Sequence, residues 1–146
     1  RQVLVPTPIG PGPEYHPRPA MHAACAPATG SARRMHLELF ANGFAVIIPA
    51  RVGVRSPHCR ARVWTSDPTG VVELAAPATL GGLFAIWGEP LGPRRLLAFH
   101  GAVSVFRNGV RVRGDPSSLV LRDRDEVVVE IGGYVPPHRS YRFVPR

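Results

Sequence analysis

Leu39-Phe40-Ala41-Asn42-Gly43-Phe44-Ala45-Val46 is followed, 66 residues later, by Val105-Phe106-Arg107-Asn108-Gly109-Val110-Arg111-Val112. Both octets place an aromatic two residues before the Asn and a Val three after the Gly. Asn-Gly accepts positive φ at both central positions of a two-residue turn, so each octet predicts a β-hairpin. Two readings of the echo stand side by side. Hairpins of this type look alike for local reasons, or these are two hairpin halves of one sheet with a short helix packed on it.

Working outward, residues 36–40 and 44–48 form the arms of the first hairpin. Residues 61–64 and 71–74 predict a second strand pair around Ser66-Asp67-Pro68-Thr69-Gly70. Thr79 has the side chain of an N-cap, for a helix running through Trp87 and ended by Gly88 and Pro90. In the second hairpin Val110 and Val112 alternate with Arg111 and Arg113, the pattern of a sheet with one wet face. Residues 127–131 are more continuously apolar than the other strands, Glu130 apart, and predict the central strand. The class is α+β and mostly β: an antiparallel sheet of Asn-Gly hairpins with one short helix, in a β-grasp-like arrangement. The expected organisation is a Pro-rich extended arm at 1–30, one β-rich domain at 31–133 and a basic tail at 134–146.

The 146 residues suit one domain. With 17 Pro and 15 Gly a long helical bundle is excluded, and 45% hydrophobic residues exclude a disordered chain. No apolar run approaches the ~18 residues that span a bilayer. All 18 basic side chains are arginine, and the formal charge is +8. Phosphate binding needs clustered bases, yet the only adjacent arginines are Arg33-Arg34 and Arg94-Arg95. The charge is dispersed, so nucleic acid is disfavoured. Weak attraction to an anionic surface is what remains.

Cys25 and Cys59 are the only cysteines. The even count suits one disulfide in an oxidising compartment, with two buried thiols as the alternative. The chain begins at Arg1, and a signal or anchor upstream of it is expected.

Nucleophile elbow, phosphate loop, Cys-x-x-Cys and His-Glu-x-x-His motifs are all absent. A ubiquitin-like sulfur carrier needs a C-terminal Gly-Gly, and Gly132-Gly133 is followed by 13 residues. Asp123, Asp125 and Glu126 alternate with Arg122 and Arg124 and read as a polar turn before the last strand. The histidines stand at 16, 22, 36, 58, 100 and 138, no two closer than six residues. Such spacing has no close ligand pair.

Cys25, His36-Leu37-Glu38-Leu39-Phe40-Ala41-Asn42-Gly43, Pro49-Ala50-Arg51-Val52-Gly53-Val54 and Cys59 succeed one another in a distinctive order. Trp64-Thr65-Ser66-Asp67-Pro68-Thr69-Gly70-Val71-Val72-Glu73 and Thr79 to Leu91, with Ile86-Trp87-Gly88, continue it. The chain resembles, over about residues 25–133, an uncharacterised family of actinobacterial extracytoplasmic domains, anchored or secreted. The resemblance implies a Cys25–Cys59 disulfide. It also implies a histidine array that looks like a metal site, built partly on a His-Thr-His-Asp motif. Here His36 and Asp67 keep family positions, Trp64 and Ser66 replace histidines, Arg34 stands where another is expected, and Glu73 replaces a later one. A degenerate site would rest on His36, Asp67 and Glu73.

The expectation is therefore a non-catalytic, extracytoplasmic binding or accessory module of the bacterial cell envelope, needing no cofactor. A protein partner would dock on the tail through Arg139, Tyr141, Arg142 and Phe143. The alternative is a metal-binding protein that takes copper or zinc at the degenerate site.

Overall fold

The computed structural model describes residues 25–26 and 33–145. The expected arm at 1–30 thus lies outside the described residues, apart from Cys25 and Ala26. The elements in chain order begin with β1 (Arg33–Ala41), β2 (Phe44–Val46), β3 (Val54–Ser56), β4 (Cys59–Arg60), β5 (Val63–Trp64) and β6 (Val71–Leu74). Helix α1 (Leu80–Trp87) comes next, then β7 (Leu91–Gly92), β8 (Arg95–Leu96) and β9 (Phe99–His100). The last are β10 (Val103–Arg107), β11 (Val110–Val112), a 3-10 turn (Pro116–Ser118) and β12 (Glu126–Ile131).

The α+β, mostly β class is what the chain adopts. Both Asn-Gly hairpins belong to one sheet, ordered β11-β10-β12-β1-β6-β5, with β2 pairing β1 beyond the stretch that β6 occupies. Asn42 and Asn108 sit at φ 53° and 52°, followed by Gly43 and Gly109 at 82° and 83°. These values are those of the two-residue turn the dipeptide favours. The echo between the two octets thus corresponds to two hairpins that flank one central strand pair.

The sheet is antiparallel-dominated, as expected, with a parallel pair at its centre. β1 and β12 pair in parallel, His36 opposite Glu126 through to Ala41 opposite Ile131. Parallel neighbours need a crossover, and the crossover here contains α1 and the second hairpin. First and last strands lie parallel at the centre, β1 flanked by its hairpin partner β2 and β12 by β10 of the second hairpin, with a helix between them in sequence; this is the β-grasp-like order.

Period-two alternation splits β1 into two faces. Met35, Leu37, Leu39 and Ala41 enter the core with Val127, Val129 and Ile131 of β12 and with Leu80, Leu83, Phe84 and Trp87 of α1. Thr79 caps the helix, its Oγ1 accepting from the Gly82 N–H at 3.1 Å, and Gly88 closes it with φ 86°. The opposite face carries Arg34, His36, Glu38 and Phe40 beside Glu126, Val128 and Glu130. Every residue of β12 is nonetheless buried, because residues 133–145 run across that second face without regular secondary structure.

Cys25 and Cys59 form a disulfide, and the Ala26 N–H donates to the Arg60 carbonyl at 2.8 Å. The bond ties the chain before β1 to the β3–β4 hairpin. It closes a sequence separation of 34 residues. Reduction, or Cys59→Ser, is expected to lower unfolding stability by about 3–4 kcal/mol on the chain-entropy account. Urea denaturation with and without reductant measures it.

Candidate functional site

The outward face of β1 meets the outward face of β12 at His36, Glu38 and Glu126. Each offers one ligand atom, and these atoms all lie within 4.8 Å of one another. His36 and Glu38 share a face because they are two apart on one strand. Glu126 joins them because the parallel register sets it opposite His36.

That register is held by a row of backbone bonds. The Arg34 N–H donates to Asp123 Oδ1 (3.0 Å), the Arg124 N–H to the Arg34 carbonyl (2.7 Å) and the His36 N–H to the Asp125 carbonyl (2.9 Å). The second Asn-Gly turn clamps the same corner. Asn108 donates its backbone N–H to the Glu126 carbonyl (2.8 Å), and its Oδ1 accepts from the Glu126 N–H (2.9 Å). Arg107 pairs with Asp125 at 2.8 Å. The run 122–126 is therefore a polar turn only as far as Asp125. Glu126 belongs to the strand and is 1% exposed, a residue that reading the stretch as a turn had missed.

His36 has both ring nitrogens engaged. A carbonyl can only accept, so Nε2–H donates to the Thr69 carbonyl at 2.8 Å, which turns Nδ1 toward Glu126 Oε1 at 2.6 Å. The Thr69-Gly70 turn comes this close because residue 70 lacks a side chain. Gly70 has φ 87°, and a Cβ there would sit 2.3 Å from the Leu37 carbonyl oxygen and 3.0 Å from His36 Nε2. Tyr141 stacks on the imidazole at 3.6 Å between ring centroids, 10° from parallel.

The carboxyls differ in their proton affinity. Burial pushes Glu126 up to about 7, and its hydrogen bond with Glu38 adds to this, against the opposing pull of His36. Burial acts to raise Glu38 as well, but hydrogen bonds with Glu126 and His138 outweigh it and hold Glu38 below the usual range. His138, from the tail, lies with Nδ1 2.7 Å from Glu38 Oε2, and that contact raises its own pKa. A line of polar contacts thus runs from buried His36 through Glu126 and Glu38 to exposed His138. Further along β12, burial raises Glu130, whose Oε1 accepts from the Val135 N–H at 3.1 Å.

The degenerate ligand set meets a different arrangement. Of His36, Asp67 and Glu73, only His36 belongs to the cluster. Asp67 is exposed and accepts from Thr69, so it shapes the turn that holds His36 without reaching it. Glu73 is buried on β6 opposite Arg34, one strand pair away. Glu38 carried a usable signal, since His36-x-Glu38 in a strand shares one face. Among the tail residues expected to dock a partner, Tyr141 and Phe143 are half-buried, while Arg139 and Arg142 are exposed. Phe143 meets Tyr141 edge-on at 5.0 Å, below the guanidinium groups of Arg34 and Arg124 at 5.4 and 5.6 Å.

Glu126 is raised above the 4.5 of a free carboxyl, so its contribution to stability is full below about 4.5 and is lost as pH rises through about 7. His138 has the same sign, present below 6.5 and lost as pH rises through its raised value. Glu38 has the opposite sign and acts only at the acid end. Unfolding free energy is expected to fall between about pH 5 and about pH 8, and Glu126→Gln to flatten that slope. A wild-type profile that is flat, or a Glu126→Gln slope as steep as that of the wild type, contradicts this. Gly70→Ala is expected to cost at least about 2 kcal/mol, read in the same denaturation experiment.

No protein-family profile, curated protein or solved structure matches the chain.

Proposed function

We propose that this chain is a non-catalytic, extracytoplasmic binding module of the bacterial cell envelope, and that its site takes a divalent transition-metal ion, zinc or copper. The observation that carries the ligand is the oriented imidazole. His36 donates Nε2–H to a backbone carbonyl and turns Nδ1 into two carboxylates, the outer-shell arrangement that aims a histidine at a metal. Nitrogen and carboxylate donors suit Zn²⁺ and Cu²⁺, whereas Cu⁺ prefers sulfur. Four ligands around such an ion stand about 3.3 Å apart at ordinary bond lengths of about 2.0–2.2 Å. The present separations, from 2.6 Å between His36 and Glu126 up to 4.8 Å, bracket that value.

The same geometry argues against catalysis. Tyr141 covers the His36 ring and Nδ1 faces Glu126 and Glu38, an arrangement that supports ligation over a base facing a substrate. The described groove lined by Val112, Arg113, Val120 and Arg122 contains none of the cluster residues. The disulfide agrees with an oxidising compartment, and no helix among the described residues is long and apolar enough to cross a membrane.

Equilibrium dialysis against Zn²⁺ and Cu²⁺, followed by elemental analysis, tests the reading. About one ion per chain is expected, with proton release on binding and weaker affinity at acid pH, since the ligands must lose protons. His36→Ala and Glu126→Gln should each weaken binding about 10-fold or more. Sub-stoichiometric metal that His36→Ala leaves unchanged overturns it.

A further inference from the structure

Among the described residues the tail touches the outer face repeatedly. The Val135 N–H meets Glu130, His138 meets Glu38, Tyr141 covers His36, Tyr134 meets Phe106 edge-on, and Arg34 lies over the Phe143 ring and donates to the Val144 carbonyl. The stem of Arg139 lies over the second hairpin turn, where a Cβ on Gly109 would come 2.5 Å from Arg139 Cγ. Only one of these contacts brings a metal-ligating atom to the cluster. His138 Nδ1 stands 2.7 Å from Glu38 Oε2 and 3.9 Å from Glu126 Oε2. Its side chain is 67% exposed, so packing does not hold the imidazole there; the carboxylates do.

We infer that His138 is the fourth ligand of the site and that metal binding fastens the C-terminal tail to the sheet. This rests on the metal-binding reading above. Two carboxylates balance the charge of a divalent ion, and two neutral imidazoles complete a four-coordinate set. Any protons held at these groups leave to solvent as the ion binds. Three ligands come from the rigid centre of the sheet and one from a segment with no regular structure. Their union converts occupancy of the site into order of the tail. The bond to His138 replaces a single hydrogen bond with a coordinate link, so the effect reaches its sequence neighbours first. Arg139 and Arg142, the exposed bases on either side of Tyr141, are then held more firmly when the ion is bound. The partner-facing surface expected of Arg139, Tyr141, Arg142 and Phe143 would be metal-dependent in its geometry.

The two arginines also supply the test, since trypsin cuts after each. Trypsin digestion of the intact disulfide-bonded chain, followed by mass spectrometry, is run with and without saturating Zn²⁺. Cleavage after Arg139 and Arg142 should slow about 10-fold or more with zinc in the wild type, the range in which local opening limits cutting. His138→Ala should bind zinc at least about 10-fold more weakly and, at saturation, show no protection of the tail. His138→Ala with wild-type zinc affinity overturns the inference. So does a wild-type chain that binds zinc with no change in tail cleavage; both results leave the metal site itself standing. A wild-type chain that binds no zinc removes the underlying reading together with this one. His138→Ala is two-thirds exposed and outside the core, so it tests the ligand without endangering the fold.

Discussion

The parallel pairing of β1 with β12 joins residues 90 positions apart, and its register sets His36 beside Glu126. A slip of one residue would turn every β12 side chain to the other face. Glu126 and Glu130 would then enter the core, and Val127, Val129 and Ile131 would face the tail. The hydrophobic pattern of β12 therefore defends the polar cluster, although no apolar residue belongs to it. The Asn108 clamp and the backbone bonds of residues 123–125 reinforce the same register from outside the strand.

Three carboxyls lie close together on a face that an open sheet would leave wet. Covering ionised groups is costly unless they find partners or protons. Here Glu126 keeps a proton up to about neutral pH, Glu38 faces His138, and Glu130 receives the Val135 N–H. The tail is thus both the cover that dries the face and the source of two groups that make the drying tolerable. Its apolar contribution is concentrated at Tyr141 and Phe143, stacked and edge-packed over His36. Arginine over the Phe143 ring completes the roof with cation–π contacts, which keep their charge accessible to water.

What was legible in the sequence is local chemistry. Asn42-Gly43 and Asn108-Gly109 specify their turns, Thr79 and Gly88 bound the helix, and the three successive valines at 127–129 announce a strand covered on both sides. Each is decided by neighbours within a few residues. The parallel pairing is not local, so hairpin signals specify the antiparallel neighbours and leave the central pair without a signal of its own. The cluster fails for the same reason. His36 and Glu38 are two apart and share a face by alternation alone, yet Glu126 reaches them only through that long-range register. Asp67 and Glu73 drew attention because of the motif in which they stand; the fold uses the first to shape a turn and places the second on another strand. The arginine-rich ending read as basic surface, but Tyr141 and Phe143 carry its packing.

The position of β12 in the chain has a consequence for synthesis. The strand that occupies the middle of the sheet is the last one made, so β1 and β10 have no neighbour between them until residues 126–131 appear. Closing contacts over so long a separation is slow relative to forming a hairpin. During that interval β1 offers an unpaired, largely apolar edge, the kind of surface on which chains join one another. Cys25 and Cys59, by contrast, are both available early, and their bond restricts the first half of the chain before its sheet has a centre. Until residues 126–131 join the sheet, holding chains apart matters most along the open edges of β1 and β10.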